Sequence, residues 1–585
     1  MVPSVFLPIP NLPLTPSGKT DRRTLRQMSS ALTEQQILDL QGNPEESKRQ
    51  PSTQAEKQLQ TIWAKVLQID PATISADVSF FHIGGDSASA MRVVREARAL
   101  GFNLDLANVF RQETIAELAR QQALNAEEAP EEHESAILVE PSVKAILLEE
   151  LESELGISST VVADIYPLTF VQEILVAGNI ASGHMADYFY LDLDASLDVS
   201  DLRHDCMRAL ERFPILRARF LQLQSKWWQV VPQQPIDTFS VYNVAGNLEE
   251  YFEDFYTKNV KSLLPTQPPA AFFLFIHENG MRLTVRWSHA QYDAFSAPLL
   301  LQSIFDGAQD QDRGEIASPA KPSFPMYLSY AAHQRPKSLA YWSRLLKGSH
   351  LTLIGPHIRL GNTPNGKPEP VYSVSEARVP RRASKFTHAT LIRAAWAILL
   401  STTTNEKDVT YGNVVAGRNA AIPAVEKIVG CCLNILPERI DFSILTSITD
   451  LLNTIQDQYL STGDADSLDF KDIVEHCTTW PAGSSFDAVL HHRNVDEEAA
   501  IHTPAGISRM NIFKNPLNLP FVFVVSASRG ENVAIEVLGD THMLEALMAQ
   551  TLGGGLVRIV ERLGSGVGMD MGLEEFMGDV KSIIY

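Results

Sequence analysis

The chain has 585 residues, 45% hydrophobic and 20% charged, which leaves room for about four domain equivalents of ordinary globular composition. Its formal charge of −21 argues against nucleic acid or an anionic membrane as partner, since either needs a basic face. The four cysteines (Cys206, Cys431, Cys432, Cys477) are too few and too scattered for a disulfide framework or a CxxC metal knuckle, so a reducing, cytoplasmic setting without a metal site is expected.

The first residues, MVPSVFLPIPNLPL, are apolar but broken by prolines. They lack the basic start and uninterrupted core of a signal peptide, and the chain is expected to begin inside a larger protein. Residues 41–51 (QGNPEESKRQP) are polar and read as a linker. Leu59, Ile62, Trp63, Val66 and Leu67 fall at i, i+3, i+4, i+7 and i+8 and predict a helix with one apolar stripe. A loop, DVSFFHIGGDS, leads into a second helix near Ser87 with Val93, Val94 and Ala97 inward, and shorter helical patterns follow at 105–110 and 113–124. Residues 125–136 (NAEEAPEEHESA) are acidic and apolar-poor, so they read as a mobile linker.

From about residue 160 helix and strand patterns alternate. FFLFIH (272–277) and MRLTVRW (281–287) flank Glu278-Asn279-Gly280, a turn signal, and so predict a hairpin. The second strand alternates, with Leu283, Val285 and Trp287 on one face and Thr284 and Arg286 on the other. Its end delivers SHAQYDAFS (288–296). Further strands are expected at 408–415, 486–492, 521–528 and 532–539. The longest apolar stretch, 391–400, carries Arg393 and falls short of the ~20 residues that span a bilayer. His491 and His492 are adjacent on a strand, face opposite sides and cannot chelate a metal together. Gly553-Gly554-Gly555 lacks a strand-turn-helix fingerprint and reads as a flexible loop. A Gly-x-Ser-x-Gly nucleophile elbow is absent from the sequence.

Three strings carry chemistry. A serine opening a helix is by itself an N-cap, but FFHIGGDSASA (80–90) as a whole resembles the carrier (thiolation) signature of nonribosomal peptide synthetases. The resemblance implies a 4'-phosphopantetheine arm on Ser87, attached by a phosphopantetheinyl transferase. NLPLTPSGKTDRR is no phosphate loop, because Pro13 stands where a glycine is needed. It resembles the tail of an adenylation domain, in which Lys19 would match the adenylate-contacting lysine. SHAQYDAFS is similar to the HHxxxDG motif of condensation domains, and closer to the SHxxxDxxS variant of fungal terminal condensation domains. YPLTFVQEIL (166–175), RFPILRARF (212–220), KIVGCCLNILPERI (427–440) and FKNPLNLPFVF (513–523) resemble further family motifs in the family's order.

The resemblance implies a multidomain chain. An adenylation tail and linker occupy 1–51, a four-helix carrier bundle 52–122, and a flexible linker 123–159. A two-lobed α/β domain of the chloramphenicol-acetyltransferase type occupies 160–585, with an N-lobe at about 160–340 and a C-lobe at about 341–585. A tunnel between the lobes is expected to hold His289. His289, Asp293 and Asn494 are the implied catalytic residues. Arg418, which matches an arginine that pairs with the motif aspartate, supports them together with Ser288 and Ser296. The implied activity is release of a carrier-bound peptidyl thioester by attack of a nucleophile on the same peptide, giving a ring. Condensation with a free amine or alcohol, a non-catalytic platform recruiting a partner enzyme, and epimerisation are the alternatives. Upstream modules of the same synthetase are expected partners.

Overall fold

The computed structural model describes residues 49–584 except 82, 86, 103, 105, 113, 126–135, 183–185, 263–266, 307–321, 356–368, 381–385, 421, 423, 494–498, 514–518 and 567–570. Lys19 and Asn494 therefore lie outside the described residues, as does most of the acidic 125–136 segment.

The N-terminal unit is built from α1 (Gln54–Leu67), α2 (Ser87–Ala99), α3 (Leu106–Arg111) and α4 (Ile115–Asn125). Thr53 starts α1 with a capping box: its hydroxyl accepts from Glu56 N (3.2 Å), and Glu56 accepts from Thr53 N (3.1 Å). The apolar stripe read from spacing is the core, with Leu59, Trp63, Val93 and Ala97 wholly buried together with Phe80, Val109 and Leu118. The turn before α2 needs both glycines. Gly84 has φ +104°, and a Cβ on Gly85 would lie 2.4 Å from the Phe80 ring.

Next come α5 (Pro141–Leu155), β1 (Val162–Pro167), α6 (Phe170–Ser182), β2 (Asp187–Leu193), α7 (Val199–Arg212) and α8 (Pro214–Arg217). They are followed by β3 (Arg219–Leu223), β4 (Lys226–Pro232), β5 (Phe239–Asn243), α9 (Leu248–Ser262), β6 (Ala271–His277) and β7 (Gly280–Trp287). Two helices, α10 (Ser296–Phe305) and α11 (Phe324–Leu345), close this half. The linker expected over 123–159 is corrected here. Within it, α5 lays Leu147 and Leu151, both wholly buried, on the β1-β4-β3 sheet against Ile165, Leu221 and Val230.

The second half contains β8 (Pro370–Arg378), α12 (His388–Thr404), β9 (Asp408–Val415), β10 (Asn434–Asp441), α13 (Ile448–Thr462), α14 (Phe470–Cys477) and β11 (Ala488–Arg493). After them come β12 (Ala500–Thr503), β13 (Gly506–Arg509), β14 (Asn511–Phe513), β15 (Val522–Arg529), β16 (Asn532–Asp540), α15 (Ala546–Gly564) and α16 (Leu573–Ile584). One sheet has the order β14-β2-β7-β6-β5 and the other β10-β9-β11-β15-β16-β8. The first is packed by α7 and α10 on one face and α9 on the other. The second is packed by α12, α13, α15 and α16 on one face and by α6, α11 and α14 on the other.

Three expectations change. The β6–β7 hairpin forms, pairing His277 with Gly280, but β7 is buried along its whole length. It is the central strand between β2 and β6, so its polar residues are covered too. Arg282 pairs with Asp192 and Glu249, and Arg286 donates to Pro269 O and Asn259 Oδ1. The lobes are not cleanly divided near residue 340. β14, from the second half, pairs antiparallel with β2 and extends the first sheet. The glycine triplet lies inside α15, not in a loop. A Cβ on Gly553 would lie 2.9 Å from Ser375 Oγ on β8, so this glycine lets helix and strand approach closely, and packing overrides low helix propensity.

The helical unit meets the second half at α13. The Phe110 ring of α3 lies 6.5 Å from the Tyr459 ring, and Leu460 is buried in the same cluster as the carrier core. Among the described residues no helix is long and apolar enough to cross a membrane.

Candidate active site

The segment after β7 turns sharply at Ser288. Its hydroxyl accepts from Ala290 N (3.4 Å), while Gln291 Oε1 accepts from Ser288 N (3.1 Å), a capping box for the short turn His289–Gln291. Three buried glutamines fix this turn from outside and inside. Gln172 of α6 donates to the Ala290 carbonyl (2.7 Å), and Gln229 of β4 donates to Gln172 (3.0 Å). Gln291 itself donates to the carbonyls of Ile215 (2.9 Å) and Leu216 (3.0 Å). The amide groups of Gln172 and Gln291 are each held by named partners, and the Gln229 nitrogen donates to Gln172 while its own oxygen is buried without a partner among the described residues. The bonds on Gln172 and Gln291 fix the turn.

His289 is partly exposed between two buried neighbours, Ser288 and Ala290. Its Nδ1 lies 3.2 Å from the Tyr292 carbonyl. A carbonyl only accepts, so this contact places the proton on Nδ1 and leaves the Nε2 lone pair free. The Tyr292 ring stacks on the imidazole at 4.6 Å and 7°.

Asp293 is wholly buried, and its carboxylate is fully engaged. Oδ1 accepts from Ser296 N (2.8 Å), Ser296 Oγ (2.9 Å) and Phe295 N (3.1 Å). Oδ2 accepts from Cys432 N (3.2 Å), and Arg418 Nη2 reaches both oxygens at 2.8 and 2.6 Å. The Ser296 hydroxyl oxygen also lies 3.2 Å from the Gly430 carbonyl oxygen. Arg418 anchors itself on the carbonyls of Val425 (2.8 Å) and Ile428 (3.0 Å). Burial works against the Arg418 charge, but Asp293 beside it more than offsets that and holds the guanidinium pKa above its ordinary value. The pair therefore pins the His289 loop of the first half to the second half.

Arg418 is delivered by a backbone that only glycine allows. Gly417 has φ +63°, and a Cβ there would lie 1.8 Å from the Cys432 carbonyl. Asn419, next along, donates to buried Asp466 (3.0 Å), and Asn434 donates to the Asp466 and Leu468 carbonyls (2.9 and 2.8 Å).

His491 stands at the same end of the second sheet. Leu490 is level with Asn413 of β9, and Arg418 lies just beyond the end of β9. Desolvation, then the charges of Arg493, His492 and His289, push its pKa down to about 3. That coupling brings His491 within electrostatic reach of His289. His492 points elsewhere, with Nδ1 at 2.9 Å from Ser526 Oγ, as expected of neighbours on a strand.

The structure thus gathers Ser288, His289, Asp293, Ser296 and Arg418 into one site. Ser87, on the separate unit, is the first residue of α2. An arm attached there fits what the structure offers: a helix N-terminus favours the negative charge of a phosphodiester, and the Gly84-Gly85 turn leads the chain into that helix. Gln172, Gln229, Asp187 and Tyr292 are site residues that sequence reasoning did not single out. Gln172 stood unremarked inside YPLTFVQEIL and Tyr292 inside SHAQYDAFS, while Gln229 and Asp187 lie outside every motif string.

Residues 162–516 match the condensation-domain family model, and residues 57–121 match the phosphopantetheine attachment-site model. A nonribosomal peptide synthetase of Metarhizium robertsii, dtxS1, is 41% identical over 97% of this chain, and nonribosomal peptide synthetase 30 of Fusarium vanettenii is 38% identical over 96%. The chain spans 7% and 10% of the lengths of these two relatives. Among solved structures, one described as holo T3CT has a TM-score of 0.63 at 22% identity, covering 74% of this chain and 98% of that one. The condensation domain of the monacolin K polyketide synthase MokA has a TM-score of 0.55 at 16% identity, covering 70% and 99%. These likenesses identify the fold as that of condensation domains. With the matched models and the imidazole-bearing loop, they lead to one conclusion: the chain belongs to the condensation-domain family and carries, ahead of that domain, a phosphopantetheine-bearing carrier unit.

Proposed function

We propose that this chain releases a peptidyl thioester held on Ser87 by attack of a nucleophile within the same peptide, giving a cyclic product. The observation that carries the reading is the build of the SHxxxDxxS loop. Ser288 caps the turn that presents His289, and Ser296 braces Asp293. Ser288, which stands where HHxxxDG has its first histidine, and Ser296, which closes the SHxxxDxxS variant, are thus structural parts of the site, which keeps a free imidazole nitrogen at its centre.

When bound, the arm supplies the thioester whose acyl carbon reacts. His289 takes the proton of the attacking nitrogen or oxygen at Nε2. The new bond to the acyl carbon forms, the carbon–sulfur bond breaks, and His289 returns the proton to the departing sulfur. General-base help of this kind contributes about 10²–10⁴-fold. Holding both ends of one peptide in the tunnel between lobes that the family resemblance implies would contribute up to about 7–11 kcal/mol for well-oriented partners. Asp293 and Arg418, paired with each other and buried, position the loop and transfer no proton.

The test loads the full chain at Ser87 with candidate peptidyl arms, with and without an external amine, and reads released species by mass. A ring formed in both conditions supports the reading. An amine adduct alone, or a thioester that stays intact until a partner enzyme is added, overturns it.

A further inference from the structure

Behind His289 lies a carboxylate that none of the family motifs includes. Asp187 opens β2, pairs in register with Trp287 at the end of β7, and is 4% exposed. The Tyr292 hydroxyl donates to Asp187 Oδ2. The same tyrosine holds His289 twice, through the face of its ring and through its carbonyl on Nδ1. Its own ring is wedged against Phe189 (5.2 Å, 86°) and Trp287 (6.1 Å, 52°). The imidazole therefore rests on a side chain whose far end is tied to a buried acid on a neighbouring strand.

We propose that Asp187 and Tyr292 are positioning residues for His289: the tyrosine fixes the ring and its tautomer, and the carboxylate favours the imidazolium that forms when His289 takes a proton. The inference rests on the general-base reading above.

The electrostatics agree with the geometry. Burial raises the pKa of Asp187, and the charge of His289 and the Tyr292 hydroxyl act against that rise. Charge on the imidazole and charge on the carboxylate thus favour each other. Other groups face this pair. Tyr256 of α9 feels Asp187, Cys431 and Asp293 bear on Tyr292, and His491 of β11 faces His289. Of these, a neutral His491 adds no charge at working pH, and the Asp293 carboxylate is neutralised by Arg418.

The test measures the pH dependence of release by the full chain loaded at Ser87, with loading checked by mass, for wild type, Asp187→Asn, Tyr292→Phe and His289→Ala. Removing the carboxylate charge makes the imidazole hold its proton less tightly. The neutral base then persists to lower pH, and the acidic limb of the Asp187→Asn profile moves down by about one pH unit with a reduced plateau. Tyr292→Phe keeps the stacked ring but frees it from Asp187, and its plateau falls about tenfold at unchanged loading. An Asp187→Asn profile that is merely scaled, with its limb in place, overturns the proposal. So does a Tyr292→Phe profile superimposable on wild type, which decides the matter if Asp187→Asn fails to fold. Undiminished release by His289→Ala would instead remove the general-base reading beneath it.

Discussion

Arg418→Ala is the perturbation whose consequence follows most directly from the geometry. The substitution leaves the Asp293 carboxylate buried, with side-chain exposures of 3% and 0% for the original pair, and it removes the Arg418 donor from the Val425 and Ile428 carbonyls. Removing one partner of such a pair costs about 3–5 kcal/mol, since the remaining charge stays uncompensated. The cost falls on the connection between the halves, where Arg418 and Cys432 grip Asp293 from the second half. Amide exchange in the full chain reads it out, because Ser296 N and Ala297 N both donate to the Asp293 carbonyl. If these amides exchange by local opening, the opening equilibrium rises by about two to three and a half powers of ten. Release of a loaded substrate falls with it, while loading at Ser87 is untouched. Arg418→Lys restores charge but not the two-pronged grip and falls between. Exchange within threefold of wild type at both amides, with release intact, would refute the argument that this pair pins the loop.

Other consequences can be checked in the same preparation. Gly417→Ala puts a methyl into the Cys432 carbonyl at a positive φ, so it should lower stability by about 1–3 kcal/mol and reduce release, measured by thermal unfolding and turnover; a neutral outcome would mean the backbone there is softer than described. Ser288→Ala removes a cap only, so a loss of about 1 kcal/mol is expected with release retained within a few-fold, whereas abolished release would give Ser288 a chemical part. In the carrier unit the Arg49 guanidinium, working against the cost of burial, and the backbone amides of Ser52 and Thr53 hold the Glu56 carboxyl down to about 2. A depressed acid stabilises the fold above its unfolded pKa near 4.5 and loses that contribution as pH falls toward 2. Carrier unfolding monitored between pH 4.5 and 2 should show this loss, and Glu56→Gln should flatten it.

Much of the fold was legible because periodicity reports burial. The stripe Leu59, Ile62, Trp63 and Val66 and the strands at 408–415 and 532–539 emerged at nearly the expected bounds. What escaped depends on partners distant in sequence. The helix α5, which buries only Leu147 and Leu151, was read as linker because the acidic stretch before it dominates the local composition. Alternation along 281–287 separated an apolar face from one bearing Thr284 and Arg286, yet both faces are buried, because acids and carbonyls on neighbouring elements pair with Arg282 and Arg286. The glycine triplet signalled a loop, but it lies inside a helix, where close contact with β8 requires a small residue at 553. At the site, motif spacing singled out Ser288, His289, Asp293, Ser296 and Arg418. It gave no role to Gln172 and Asp187, which reach the loop from 118 and 105 residues away, nor to Gln229, which supports Gln172.

The central claim is that His289 moves the proton during release from Ser87. The most direct measurement loads wild type and His289→Ala with the same peptidyl arm and follows, by mass, both the acylated carrier and the freed product. Persistence of the acylated carrier in the variant, against ring formation by wild type, is the predicted result. Ring formation by the variant at the wild-type rate would contradict the account.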